Sequence, residues 1–182
     1  MKILLLSDVE CKALWDHYQP GRLDGLDLIL SCGDLKKDYL EFLVTLGRKP
    51  VFYVPGNHDE GYVKDPPEGC DCLEGQVITY KGLRLTGFGG CMRYNQGIYQ
   101  YTEQEMARRV RKMRRPVRKD YGDCADLCHQ GFACFQEMLD RWQPSYLIHG
   151  HVHLTYSGRI PRIQQYGKTT LINAYERYVL EI

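Results

Sequence analysis

The chain has 182 residues, 43% of them hydrophobic and 26% charged, with 14 Tyr, which suits one folded core and excludes a disordered or collagen-like chain. Its 24 Lys and Arg nearly balance its 23 Asp and Glu, so net charge alone selects no partner. Distribution is more informative: eight cations fall between 108 and 119 with no acid among them, leaving 16 cations against 23 acids elsewhere.

In chain order, residues 3–6 read as a short buried strand closed by Ser7-Asp8. That run is too short for a secretory h-region or a spanning helix, so a cytoplasmic protein with no membrane partner is expected, and its eight cysteines are expected to be thiols. Residues 26–31 repeat the pattern and end in Cys32-Gly33-Asp34, and residues 50–54 end in Pro55-Gly56-Asn57-His58-Asp59. Helical spacing over 11–19 and 36–46 makes the first third βαβαβ, with polar loops gathered at the carboxyl ends of parallel strands.

The second half changes character. A hairpin is expected over 76–80 and 83–87, followed by the Gly-rich loop 87–90. Thr102 and Glu105 have capping-box spacing, opening a helix that carries the basic run to about Arg115 before Pro116. A second amphipathic helix is expected over 129–142, then strands over 146–149, 169–173 and 177–181.

The chemistry-bearing residues stand at strand ends: Asp8 with Glu10, Asp34, Asn57 with His58 and Asp59, and His151 with His153 beyond His149. Carboxylates, an amide oxygen and imidazoles form the inventory that two-metal hydrolysis requires. Taken singly, Asp34 or Asn57 could equally cap a helix or make a turn. Taken in order, Ser7-Asp8-x-Glu10, Gly33-Asp34, Gly56-Asn57-His58-Asp59 and Gly150-His151-Val152-His153 resemble the calcineurin-like metallophosphoesterases over residues 1 to about 156.

This resemblance implies a single α/β domain over 1–182 with a four-layer αββα sandwich, hydrolysing phosphate monoesters or diesters at a dinuclear divalent metal centre. Asp34 would bridge the metals, Asp8 and His153 would bind the first, and Asn57 and His151 the second. His58 would be the catalytic acid, with Asp59 orienting it and raising its pKa. Two departures from the family pattern stand out. Asp8-Val9-Glu10 replaces the usual Asp-x-His; if Glu10 coordinates, the first site becomes richer in oxygen, favouring Mn²⁺, with Mg²⁺, Zn²⁺ or Fe as alternatives. The alternative for Glu10 is a solvated side chain.

The second departure lies near 119–120, where the usual Thr-His-Ala-Pro-like strand and loop are absent and Arg118-Lys119 run directly into Asp120-Tyr121-Gly122-Asp123. The second metal should be weakened, leaving the centre dinuclear or reduced to mononuclear. His129 could substitute or contact substrate, or simply open a helix. Arg93 is a candidate phosphate anchor, with a surface arginine as its alternative. Cys70-Asp71-Cys72 and Cys124-x-x-x-Cys128-His129 lack finger spacing and are read as thiols. The basic segment 108–119 raises a rival class, a catalytically impaired module that binds phosphate or nucleic acid, although a solvated face is the more ordinary explanation.

Overall fold

Leu and Ile fill residues 3–6 without a polar interruption because β1 (Lys2–Leu6) is covered on both faces. In the computed structural model, which describes residues 1–113, 131–154 and 161–182, Leu4 and Leu6 join one buried cluster while Ile3 and Leu5 join another. β1 pairs in parallel with β2 (Leu28–Ser31), whose own Ile29 and Leu30 divide between the same two clusters. The single core expected from length is therefore distributed over three clusters, because the sheets divide it.

Between those strands, residues 11–19 do not form the expected α-helix. A single 3-10 turn at Lys12–Leu14 is followed by turns, and Leu14, Trp15 and Tyr18 pack into the first cluster. Nine residues are too few to hold an α-helix by propensity, so tertiary contacts decided the conformation. α1 (Lys37–Gly47) does form; Tyr39, Leu40 and Leu43 are its buried stripe, and Arg48 ends it in the left-handed conformation. Burying each of these leucines completely contributes about 2 kcal/mol.

β3 (Val51–Tyr53) continues the parallel order and β4 (Asp71–Cys72) extends it. β5 (Val77–Tyr80) and β6 (Leu83–Thr86) form the expected antiparallel hairpin. A small parallel pair follows, β7 (Cys91–Met92) with β8 (Gln100–Tyr101), enclosing the loop 93–99.

α2 (Glu103–Lys112) has the expected capping box: Thr102 Oγ1 accepts from Glu105 N at 3.3 Å and Glu105 Oε2 from Thr102 N at 2.7 Å. α3 (Ala133–Trp142) begins without a side-chain cap of its own, and Glu103 supplies one by accepting from Ala133 N and Cys134 N at 2.8 and 2.7 Å. Met106 and Val110 of α2 meet Met138, Leu139 and Trp142 of α3 in the third cluster, with Leu147 and Tyr166 against them.

β9 (Tyr146–His149), β10 (Ile163–Tyr166) and β11 (Thr169–Asn173) form a second sheet in the order β10-β11-β9, with β9 and β11 parallel. β12 (Tyr178–Glu181) returns antiparallel to β1, completing the five-stranded order β12-β1-β2-β3-β4. Ile172 and Ala174 reach the cluster of Ile3, Leu5, Leu28 and Leu30, so the two sheets share that core. Among the described residues, no helix is long and apolar enough to cross a membrane.

Candidate metal centre

The parallel strands β1, β2 and β3 release their chains at one edge, so Asp8, Asp34 and the turn Asn57–Asp59 leave the sheet together. β9 and β11 are joined to that edge through Tyr175, which bridges to Ser7, and through Glu176 N, which donates to Ser7 O at 2.9 Å. Asp8, Asp34 and His151 all have positive φ, at 67°, 56° and 68°. Side chains in this region cost roughly 1–2 kcal/mol, least for the Asp, Asn and His types found here. Such strain persists where the surroundings over-determine it, and here they do.

Asp8 N donates to Gly33 O at 3.1 Å, tying the β1 loop to the β2 loop. A Cβ on Gly56 would overlap Asp34 Oδ1 and N, and one on Gly150 would lie 2.7 Å from Ser7 Cβ and 3.0 Å from Cys32 O. Glycine stands before Asn57 and His151 because side-chain and main-chain atoms of Asp34 in one case, and of Ser7 and Cys32 in the other, occupy the space a Cβ would need.

Asp59 is 6% exposed, and its Oδ2 accepts from Asp34 N at 2.8 Å and Gly56 N at 2.7 Å. Its carboxylate thus pins the β2 loop to the β3 loop. Burial pushes its carboxyl up to about 6, against the pull of those two N–H groups. Asp34 Oδ1 accepts from His58 N at 2.7 Å, closing a reciprocal clamp. Burial raises the Asp34 carboxyl above its ordinary value; nearby His58 and His151 oppose that rise and the Asp8 charge adds to it.

Asp8 has only 2% of its side chain exposed. Ser7 Oγ donates to its Oδ2 at 2.6 Å, His151 N donates to its Oδ1 at 2.8 Å, and His153 Nε2 lies 3.8 Å from that same oxygen. His153 also leans on Tyr175, with ring centroids 4.9 Å apart. Asn173 holds this turn: its Nδ2 donates to Val152 O at 2.6 Å, and its Oδ1 accepts from Tyr175 N at 2.8 Å. His149 places Nδ1 3.2 Å from Gly150 O, and burial depresses its pKa, so it supports the loop rather than facing solvent.

Asn57 is buried, whereas His58 is exposed and lines an open recess of ≈ 430 Å³ with Glu10, Asp34, Lys36 and Tyr62. Glu10 reaches this recess from the β1 loop, but its Oε1 accepts from Lys36 N at 3.1 Å, at the start of α1. Its carboxylate thus serves the helix N-terminus. Arg93 is committed elsewhere: its guanidinium donates to Gln100 O and pairs with Glu105 Oε2 at 2.9 Å. His129, with Cys124, Cys128 and the basic residues Arg114, Arg115, Arg118 and Lys119, lies outside the described residues. The six described cysteines are free thiols, and burial pushes Cys32 up to about 12, so it is no ready thiolate ligand.

Two carboxylates, an amide and two imidazoles at one sheet edge match a hard or borderline divalent cation in kind. Hydrogen bonds link His58 to Asp34, His151 to Asp8, and Asp8 to the residue before Asp34, which places these four in one neighbourhood. As the side chains lie, no three Asp, Glu, His or Cys residues among those described form a group that would enclose a metal ion. Sequence reasoning overlooked Tyr94, Asn173, Tyr175 and Arg162. Arg162 donates to the carbonyls of Asn173, Tyr175 and Arg177. Their telling contacts reach residues distant in sequence, Tyr94 to Asn57, Asn173 to Val152, Tyr175 to Ser7 and Arg162 to Tyr175, and leave no local signal.

The chain matches the calcineurin-like phosphoesterase family over residues 1–155 and belongs to it. That family consists of metal-dependent phosphoester hydrolases, and its match covers Asp8, Asp34, Asn57, His58, Asp59, His151 and His153. No curated protein matches the chain.

Proposed function

We propose that residues 1–182 form one metallophosphoesterase domain, a four-layer αββα sandwich, that hydrolyses phosphate monoesters or diesters in the cytoplasm. The observation that carries this reading is the convergence of Asp8, Asp34 and His151, each in a left-handed conformation, within one hydrogen-bonded set of strand-end loops. In this reading Asp8 and His153 hold a first cation, Asn57 and His151 a second, and Asp34 lies between them. Mn²⁺ is the favoured ion, with Mg²⁺, Zn²⁺ or Fe as alternatives, and the centre is dinuclear or weakened to mononuclear.

A bound cation would supply charge neutralisation and activate water. The chain's own residues do the rest. His58, exposed on the recess with its N–H fixed on Asp34, is placed to protonate the leaving alkoxide. Asp59 holds its turn in register with Asp34. Glu10 sets the rim by accepting from Lys36 N through Oε1, and its Oε2 would serve as the oxygen ligand. Arg93 orders the loop 93–99 through Gln100 O and Glu105, and as a phosphate anchor it would act from that tethered position. The rival reading, a module that binds phosphate or nucleic acid, draws on the exposed Arg108, Arg111 and Lys112 of α2.

One experiment separates these readings. Metal-stripped protein is assayed on p-nitrophenyl phosphate and its bis-ester with Mn²⁺, Mg²⁺ and Zn²⁺ added separately, beside Asp34→Asn. We expect metal-dependent turnover that the substitution abolishes. Folded protein that binds metal without turning over either ester would favour the binding module.

A further inference from the structure

The basic helix and the Gly-rich loop meet at one side chain. Of the four cations of α2, Arg108, Arg111 and Lys112 are exposed, while Arg109 is half-buried with its guanidinium 3.8 Å from the centre of the Tyr101 ring. Arg109 pairs with Glu74 Oε1 and donates through Nη1 to Gly89 O at 3.3 Å, and Glu74 Oε2 accepts from Gly89 N. One ion pair thus holds both the N–H and the carbonyl of a single buried glycine. Bonding a carboxylate and a carbonyl at once suits the guanidinium fork, whereas a lysine offers only a point charge.

The clamped glycine is packed on the turn that carries His58. A Cβ on Gly89 would overlap Pro55 O, and Gly90 N donates to that same oxygen at 2.9 Å. Beyond β7 the segment returns to the turn: Tyr94 OH lies 3.2 Å from Asn57 Nδ2, and Glu60 Oε1 accepts from Ile98 N at 3.1 Å. Residues 89–98 therefore touch positions 55, 57 and 60, on both sides of His58. His58 is itself exposed, with its backbone N–H fixed on Asp34. An exposed imidazole has little packing of its own, so where its ring stands follows from where its main chain is held.

We propose that Arg109 is a positioning residue: by clamping Gly89 it seats residues 89–98 against the turn and so fixes where the His58 imidazole stands. This rests on the reading of His58 as the acid for the leaving group. In that step the ring's proton passes to the departing oxygen as its bond to phosphorus breaks, so the help it gives grows with the basicity of that oxygen. Misplacing such a group by about 1 Å costs on the order of a hundredfold. The one inward cation of a basic helix thereby reaches the reaction through two main-chain oxygens, Gly89 O and Pro55 O.

The test uses Arg109→Lys, which keeps the charge and loses the fork, and Arg109→Met, which loses both. With Mn²⁺ added, kcat of Arg109→Met on phenyl phosphate, whose leaving oxygen is basic, should fall on the order of a hundredfold, while kcat on p-nitrophenyl phosphate falls far less and both KM values hold. Arg109→Lys should shift the ratio between the esters in the same direction by less, and it is read alone if Arg109→Met does not fold. In a His58→Ala background neither change should alter that ratio. In metal-stripped protein, amide exchange at His58 N should quicken in the variants, while His151 N, held on Asp8, keeps its wild-type rate. Equal losses on both esters, a ratio shift that persists without His58, or unchanged exchange at His58 would overturn the role and leave Arg109 a tie within the fold. Wild-type protein that turns over neither ester, or a His58→Ala variant with the wild-type preference between them, would overturn the readings beneath it before any Arg109 variant is compared.

Discussion

The loops at the ends of β1, β2 and β3 and the arm between β7 and β8 meet at Asn57, yet they are held by different means. The strand-end loops are placed by short buried carboxylates accepting from main chain, Asp59 from Asp34 N and Gly56 N, Asp34 from His58 N and Asp8 from His151 N, and Gly56 lies where its neighbour Asp34 leaves no room for a Cβ. The arm is placed by long polar side chains, Gln100 and Arg93, folded back on its own backbone. Close-packed backbone tolerates no added atom, whereas polar tethers can be lost one at a time. The loops that would hold a cation are thus the crowded ones, and the loop 93–99, which meets them at Asn57 through Tyr94, is the one held by separate polar tethers.

The largest test of that contrast is Gly56→Ala. Its new methyl group has to displace Asp34, and we expect a loss of about 3 kcal/mol in urea denaturation, together with the Asp34 geometry. A loss under about 1 kcal/mol would mean that these loops have slack and are not set by backbone contact.

Asp59→Ala comes next. It removes the acceptor for two main-chain N–H groups inside the clamp and should cost about 2 kcal/mol, whereas Asp59→Asn, which still offers an oxygen, should lose much less. Equal losses in the two variants would mean that the charge of Asp59, rather than its accepting oxygen, holds the loops.

Arg93→Ala should have the smallest effect, since its guanidinium is partly exposed and its partner Glu105 lies at the surface. A thermal midpoint near that of wild type is expected, with faster amide exchange confined to residues 94–99. Global destabilisation would show that the arm is as tightly built into the fold as the strand ends.

Much of the strand-end region was legible in the sequence. A strand covered on both faces must be apolar throughout, so residues 3–6 and 28–31 announce themselves. The left-handed positions accept few residue types without strain, and Asp8, Asp34 and His151 belong to those types. The capping box at Thr102 was equally readable, since its bonds span three residues. Residues 11–19 misled because helical spacing describes amphipathy, while packing of Trp15 and Tyr18 against Tyr39 and Phe42 set the actual turns. β4, β7 and β8 have two residues each, too short to leave a periodic trace.

Glu10 and Arg93 show where local reading stops. Both residue types are chemically able to do what the resemblance and the loop position suggested, a metal ligand and a phosphate anchor. Their partners in the fold, Lys36 N for one and Gln100 O with Glu105 for the other, engage them in supporting the site's walls.

The order and identity of the strand-end residues, and hence the family and its phosphoester chemistry, were determined by the sequence alone, because they depend on residue type and local spacing. What each carboxylate and amide faces was decided only by tertiary structure. The bond from His151 N to Asp8 Oδ1 joins residues 143 positions apart, and that from Asn57 to Tyr94 joins residues 37 apart. No local propensity encodes such pairs; the first exists because two sheets sharing one core bring their strand ends to the same edge, and the second because the loop between β7 and β8 folds over that edge.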